Sequence, residues 1–190
     1  MSAVVALIGY LLGSISFAII IMKLYTRKDI RDFGSGNAGM TNILRTLGKK
    51  AAALTLIGDL GKGALAVVLA RWVFSLAGIE NTAIGAYVAG LFALVGHIYP
   101  LYFGFKGGKG ILVSAGMILV IDPLVFPILI AAFLITVIIT KIVSLSSLVC
   151  CAVFPVATYV VHMLQGRPAL VDTLLAACIS LIVVFMHAAT

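Results

Sequence analysis

The chain has 190 residues, 63% of them hydrophobic and 10% charged, with a net charge of +7 and a mean hydropathy of +1.26. That balance excludes an ordinary soluble domain and predicts an all-α, polytopic membrane protein, because each crossing takes about 20 apolar residues and only helices or closed barrels satisfy their backbone in lipid. The apolar runs are continuous rather than alternating, which excludes a barrel. Nothing resembles a nucleic-acid fold or a stacking platform, so the positive charge belongs to membrane topology or to an anionic ligand.

In chain order the apolar runs fall at roughly 2–22, 51–77, 82–103, 111–121, 124–140, 145–164 and 168–187. The first, second, third, sixth and seventh are long enough to span. The fourth is short and the fifth marginal, and Asp122-Pro123 between them is a helix-breaking turn signal. About seven transmembrane helices are expected; five spans plus a re-entrant hairpin is the alternative. The first charge, Lys23, follows the first run, opposite to the basic start of a cleavable signal. Small residues such as Gly9, Gly13, Ser14, Ser16, Gly85, Ala89 and Gly90 predict close helix packing. Cys150, Cys151 and Cys178 lie inside apolar runs and predict packing rather than disulfides or zinc. There is no internal repeat or low-complexity linker, so residues 1–190 are expected to form one domain.

Ten of the thirteen Lys and Arg lie in loops on one side: Lys23, Arg27, Lys28, Arg31, Arg45, Lys49 and Lys50, then Lys106, Lys109 and Lys141. The positive-inside bias makes that side cytoplasmic, with the N-terminus outside and the C-terminus inside.

Two glycine-rich loops share that side. Gly34-Ser35-Gly36-Asn37-Ala38-Gly39 matches the spacing of a dinucleotide fingerprint, but that motif needs a strand before it and a helix after it within a βαβ unit. A charged segment and membrane spans surround it here, so the nucleotide reading is rejected. What survives is the physics of the loop: glycines let successive N–H groups converge on an anion, and Ser35, Asn37, Thr41 and Asn42 add short hydrogen-bonding side chains. A flexible interfacial connection is the alternative reading. Lys106-Gly107-Gly108-Lys109-Gly110 lacks Walker A spacing. It opens the fourth run, where a helix N-terminus and two lysines favour a phosphate; two snorkelling lysines are the alternative.

Asp59 and Lys62, three apart, share a helical face and predict a structural ion pair, with a part in shaping the site as the lesser reading. His97, at the end of the third run, is either a packing or a site histidine. Asp172 and His162 near the outer face receive no role. There is no Ser/His/Asp set, no His-Glu-x-x-His and no acidic metal cluster. A Mg²⁺-dependent phosphotransferase would place such carboxylates beside its phosphates; this chain offers cations and amides.

The stretch Ser35-Gly36-Asn37-Ala38-Gly39-Met40-Thr41-Asn42, with Arg45 following, resembles the first signature of the bacterial PlsY family. Gly96-His97-Ile98-Tyr99-Pro100 through Phe105-Lys106-Gly107-Gly108-Lys109-Gly110 resembles the second, and Val143-Ser144-Leu145 a shorter third. Asp59 and Lys62 also fit the family's pattern. The resemblance implies an acyl-phosphate:glycerol-3-phosphate acyltransferase of the bacterial inner membrane, with seven spans, a cytoplasmic active site and no cofactor or metal. Such enzymes move an acyl chain from acyl phosphate to the 1-hydroxyl of glycerol 3-phosphate, giving lysophosphatidic acid and phosphate. It further implies that Ser35, Gly36, Asn37, Thr41, Asn42, Gly107, Gly108, Lys109 and Gly110 hold the acyl phosphate. Arg45 and Lys106 would hold glycerol 3-phosphate with help from Ser144 and His187. His97 and Lys106 are the candidate catalytic residues, with the substrate's own phosphate as the rival base. After His187 the chain departs from the family pattern, since Thr190 stands where the family has Asn and the basic tail that follows is missing. A transporter of phosphate or a phosphate ester is the runner-up, although no repeat symmetry supports it. A membrane-embedded binding subunit is a third reading.

Overall fold

The structure, a computed structural model, describes residues 1–188, so the expectation attached to Thr190 lies outside the described residues. Among those residues there are helices and no strands. Five stretches are long and apolar enough to cross a membrane: Ser2–Thr26, Lys49–Leu76, Ala83–Phe103, Val143–Leu164 and Leu170–Ala188. The chain divides into two compact units, residues 1–121 and 122–190.

The first unit contains α1 (Ser2–Gly13), α2 (Phe17–Thr26), α3 (Met40–Leu47), α4 (Lys49–Leu76), α5 (Ala83–Ile98) and α6 (Ile111–Ile121). The first apolar run is therefore not one helix, as the sequence suggests, but two joined by Ser14-Ile15-Ser16. The physical reason lies in α4. Lys62 Nζ donates a hydrogen bond to the Ile15 carbonyl at 2.6 Å, while the Phe17 backbone N–H approaches the Asp59 carboxylate. A cation thus sits at the C-terminal end of α1 and an anion at the N-terminal end of α2, the favourable sign at each helix terminus.

Small residues allow the helices around this break to approach. A side chain at Gly9 or Gly13 of α1 would run into the backbone of Ala89 or Ala93 on α5. Gly63 of α4 faces Val113, and Gly116 of α6 faces Leu60, in the same way. This is the small-residue packing expected where lipid supplies no hydrophobic drive between helices. Val5, Ala66, Ala70, Phe74, Ala89, Ala93 and Val113 form the resulting core. A second core of α2, α3 and the start of α4 includes Ile19, Met22, Ile43 and Ala51, and it takes in Ile30 and Ala38 from the segment between α2 and α3. That segment is thereby held from below.

The second unit contains α7 (Val125–Thr140), α8 (Val143–Leu164) and α9 (Leu170–Ala188). Asp122-Pro123 separates α6 from α7, as its turn signal predicts. Lys141 adopts the left-handed conformation (φ 59°) that ends α7 and turns the chain into α8. The cysteines Cys150, Cys151 and Cys178 are free thiols.

Candidate active site

The first glycine loop begins after α2, where Arg27 ends the helix in the left-handed region (φ 60°). Asp29 accepts the Arg31 backbone N–H at 3.0 Å and starts a short 3-10 turn. Gly34 and Gly36 then take φ of +56° and +71°, angles that glycine adopts without strain. Gly39 begins α3 as its N-cap. Thr41, Asn42 and Arg45 therefore stand on a helix, whereas the sequence places Thr41 and Asn42 in the loop.

Asn42 organises this loop from within. Its Nδ2 donates to the carbonyls of Ile30 (3.3 Å), Phe33 (2.9 Å) and Asn37 (3.1 Å), and its Oδ1 accepts from the Ser35 N–H at 3.2 Å. With both amide hydrogens committed to backbone carbonyls and only 2% of its surface exposed, Asn42 shapes the loop; its amide has no hydrogen left to offer a phosphate. Ser35, Gly36 and Arg45 are exposed, and Asn37 and Thr41 half-buried.

The second loop folds back on the end of α5. The Gly107 N–H donates to the Ile98 carbonyl at 3.0 Å and the Gly108 N–H to the His97 carbonyl at 3.1 Å. These two amides cap the otherwise unsatisfied C-terminus of α5, so the expected phosphate contact through them gives way to a structural one. Gly110, with φ +87°, leads into α6. Lys106 is exposed; Lys109 is half-buried, and burial pushes its amine below the ordinary lysine value.

Two devices join the loops. Arg31 donates from Nη1 to the Phe103 carbonyl at 2.6 Å and the Lys106 carbonyl at 3.0 Å. Its other nitrogens grip Asp29 bidentately, Nε to Oδ1 at 3.0 Å and Nη2 to Oδ2 at 2.8 Å. The hydrogen bond to Arg31 holds the Asp29 carboxyl below the usual carboxylate range. The second device is close packing: a Cβ on Gly108 would strike His97 Nε2 and lie 2.7 Å from the Ala38 carbonyl oxygen. His97, Gly108 and Ala38 therefore meet at the seam between the loops.

Beneath the seam, Lys62 pairs with Asp59 Oδ1 at 2.9 Å, both side chains 2% exposed. Lys62 Nζ also lies 2.9 Å from His97 Nδ1. Tyr10 Oη donates to the Tyr99 carbonyl at 3.0 Å and the Leu101 N–H to Ser14 Oγ at 3.2 Å, fixing the α5 exit against α1.

In the second unit, Ser144 is exposed in the first turn of α8 and His187 lies in the last turn of α9. Because α8 and α9 are packed neighbours joined by a short turn, the two residues share one end of that unit. At its other end His162 stands between two carboxylates, Asp122 at 2.7 Å and Asp172 at 3.1 Å.

Residues 3–190 match the profile of the family described as "Glycerol-3-phosphate acyltransferase". The chain belongs to this family. It is 44% identical over 146 residues to a glycerol-3-phosphate acyltransferase of Clostridioides difficile, covering 77% of this chain and 71% of that protein. It is 46% identical over 144 residues to one of Pseudomonas aeruginosa, covering 76% and 73%. The fold is similar to the crystal structure of PlsY (YgiH), an integral membrane glycerol 3-phosphate acyltransferase, in its glycerol 3-phosphate form, with TM-score 0.82, 32% identity, and 98% of this chain and 88% of that one covered. The lysophosphatidic acid form gives TM-score 0.80 and 31% identity, with 98% and 87% covered. None of these relatives supports the transporter reading.

Within the family frame, Arg31 was not legible as a site residue in the sequence, where it reads only as a loop charge. The available signal was Asp29-x-Arg31 placed just ahead of the glycines. Nor was Arg71 legible, which donates from Nη1 to the Val120 carbonyl at 3.0 Å and so caps α6, nor the cluster around His162, whose members lie 40 and 10 positions from it in the chain.

Proposed function

We propose that this chain, a multi-pass membrane acyltransferase, moves an acyl chain from acyl phosphate to the 1-hydroxyl of glycerol 3-phosphate. The hydroxyl oxygen attacks the acyl carbonyl carbon, the bond from that carbon to the phosphate oxygen breaks, and 1-acylglycerol 3-phosphate and inorganic phosphate leave. Phosphate is a good leaving group, so the barrier is one of alignment and charge neutralisation. The hydroxyl proton goes to the substrate's own phosphate.

The observation that carries this reading is the joining of two glycine-rich, cation-bearing loops by Arg31 and at the His97–Gly108–Ala38 contact, in a member of the glycerol-3-phosphate acyltransferase family. We assign the acyl phosphate headgroup to Ser35, Gly36, Asn37 and Thr41 with Lys109 and Gly110. Asn42, Gly107 and Gly108 hold the loops in shape for it. Arg45 grips the phosphate of glycerol 3-phosphate with its fork of donors, and Lys106 neutralises charge as the acyl group moves. His97 serves at the seam. Ser144 and His187 are further substrate contacts.

The same reading makes the chain one functional domain with seven spans in the bacterial inner membrane, its N-terminus outside, and its C-terminus and active site cytoplasmic. The distribution of Lys and Arg supports that orientation.

The test is phosphate release by the purified protein in detergent. Release from acyl phosphate that depends on added glycerol 3-phosphate, with lysophosphatidic acid formed in equal amount, is the expected result. Uptake into vesicles without release would overturn the enzyme reading.

A further inference from the structure

A lysine ammonium has three donors and no acceptor. Lys62 faces three acceptors: the Ile15 carbonyl at 2.6 Å, Asp59 Oδ1 at 2.9 Å and His97 Nδ1 at 2.9 Å. The ammonium donates to Ile15 and faces His97 at hydrogen-bond distance, and it meets Asp59 as an ion pair, in a place where the side chain is 2% exposed. The hydrogen bond between Lys62 and His97 therefore runs from Nζ to Nδ1. A proton on Nδ1 would point at a cation, and the alternative acceptor, Asp59 Oδ1, lies 3.8 Å from Nδ1, beyond hydrogen-bond reach. The ring is neutral, with its proton on Nε2.

That nitrogen is turned toward the seam of the two loops, where it faces Gly108 close to the Ala38 carbonyl. A ring locked this way can donate a hydrogen bond there and cannot take a proton: accepting one at Nε2 would need the existing proton to move to Nδ1, against the ammonium. We propose that Lys62, oriented by Asp59, is a positioning residue that fixes His97 as a permanent N–H donor at the acyl-phosphate site rather than a base. An N–H aimed at the seam favours charge developing on an acyl or phosphate oxygen during transfer. It also explains why a charged pair is kept inside a span, where charges normally face a partner or a functional cavity.

The inference rests on the proposed reaction for its catalytic meaning. Its first readout is independent of that reaction. The protein, with its histidine rings labelled with ¹⁵N, is examined in detergent by long-range ¹H–¹⁵N correlation, which distinguishes the two neutral tautomers and imidazolium. The His97 signals are assigned by their loss in H97Q. An Nε2–H ring that stays neutral from about pH 6 to about pH 9, across the range where a free histidine titrates, is expected. An Nδ1–H ring, or titration within that window, overturns the lock.

K62M should mix the tautomers and lower kcat by about tenfold or more, with a smaller change in KM for glycerol 3-phosphate. An unchanged kcat with the tautomers mixed overturns the positioning role. Should K62M fail to accumulate, K62R carries the test: the retained cation should preserve the Nε2–H ring, and loss of that tautomer overturns the assignment. A wild-type chain that shows the locked ring but no acceptor-dependent phosphate release upholds the lock and overturns the reaction, so the two failures are distinguishable.

Discussion

Arg31 donates to the Phe103 carbonyl at 2.6 Å across 72 positions of sequence, and this bond ties the loop before α3 to the loop after α5. Because Asp29 holds the same guanidinium from the other side, the tie depends on a carboxylate remaining ionised. The Asp29 carboxyl is held below its ordinary value by Arg31, so in acid the unfolded chain binds the proton first and stability rises with pH. The contribution is complete above the unfolded value of about 4 and is lost as pH falls through the folded value. Melting temperature followed from about pH 6 down to about pH 3 should fall more steeply for the wild type than for D29N. Parallel curves would show that the pair does not hold the loops.

Asn42→Asp places a carboxylate against the carbonyls of Ile30, Phe33 and Asn37. Each buried carbonyl left without its donor costs about 1–3 kcal/mol. The variant should melt at lower temperature and be cut by protease between Gly34 and Ala38. A wild-type melting temperature and digestion pattern would contradict Asn42 as the organiser of the first loop.

Gly108→Ala drives a methyl group into His97 Nε2 and toward the Ala38 carbonyl. The loops must part, and a displacement of about 1 Å at a reacting centre lowers turnover about 100-fold. Acyltransfer by G108A should fall by that order while the protein still folds; activity within a few-fold of wild type would remove the seam from the mechanism.

Arg45→Ala on the exposed face of α3 should raise KM for glycerol 3-phosphate about tenfold or more with a smaller effect on kcat, the signature of lost substrate binding. Initial rates across glycerol 3-phosphate concentrations decide this, and an unchanged KM would reassign Arg45.

His162→Ala strands the carboxylates of Asp122 and Asp172 that meet on the ring at 2.7 and 3.1 Å. Leaving the buried Asp122 carboxylate without its hydrogen-bond partner costs about 1–3 kcal/mol. H162A should lower the thermal midpoint by several degrees, and adding D122N should recover part of the loss by removing one stranded charge. No recovery in the double variant would show that packing, not charge, makes His162 matter.

Much of the fold was legible in the chain because lipid leaves few choices. Continuous apolar runs must be helices, and Asp122-Pro123 breaks the helix where it stands. Asp59 and Lys62 could be paired by their spacing alone. The glycine loops were visible as motifs, with Ser35, Arg45 and Lys106 exposed on or beside them.

Other features could not be read that way because they depend on where separate helices meet. The break between α1 and α2 follows from the Asp59–Lys62 pair on α4, since no local residue between Gly13 and Phe17 is a strong helix breaker. Asn42, Gly107 and Gly108 look like ligand contacts in sequence, yet their polar groups satisfy the backbone around them. Arg31 looks like one loop charge among many. The sequence by itself determined a helical membrane acyltransferase of this family and its two glycine-rich, cation-bearing loops. Only the tertiary structure decided which polar groups in those loops remain for a substrate, because a buried hydrogen-bonding group must first be satisfied by whatever the fold brings beside it.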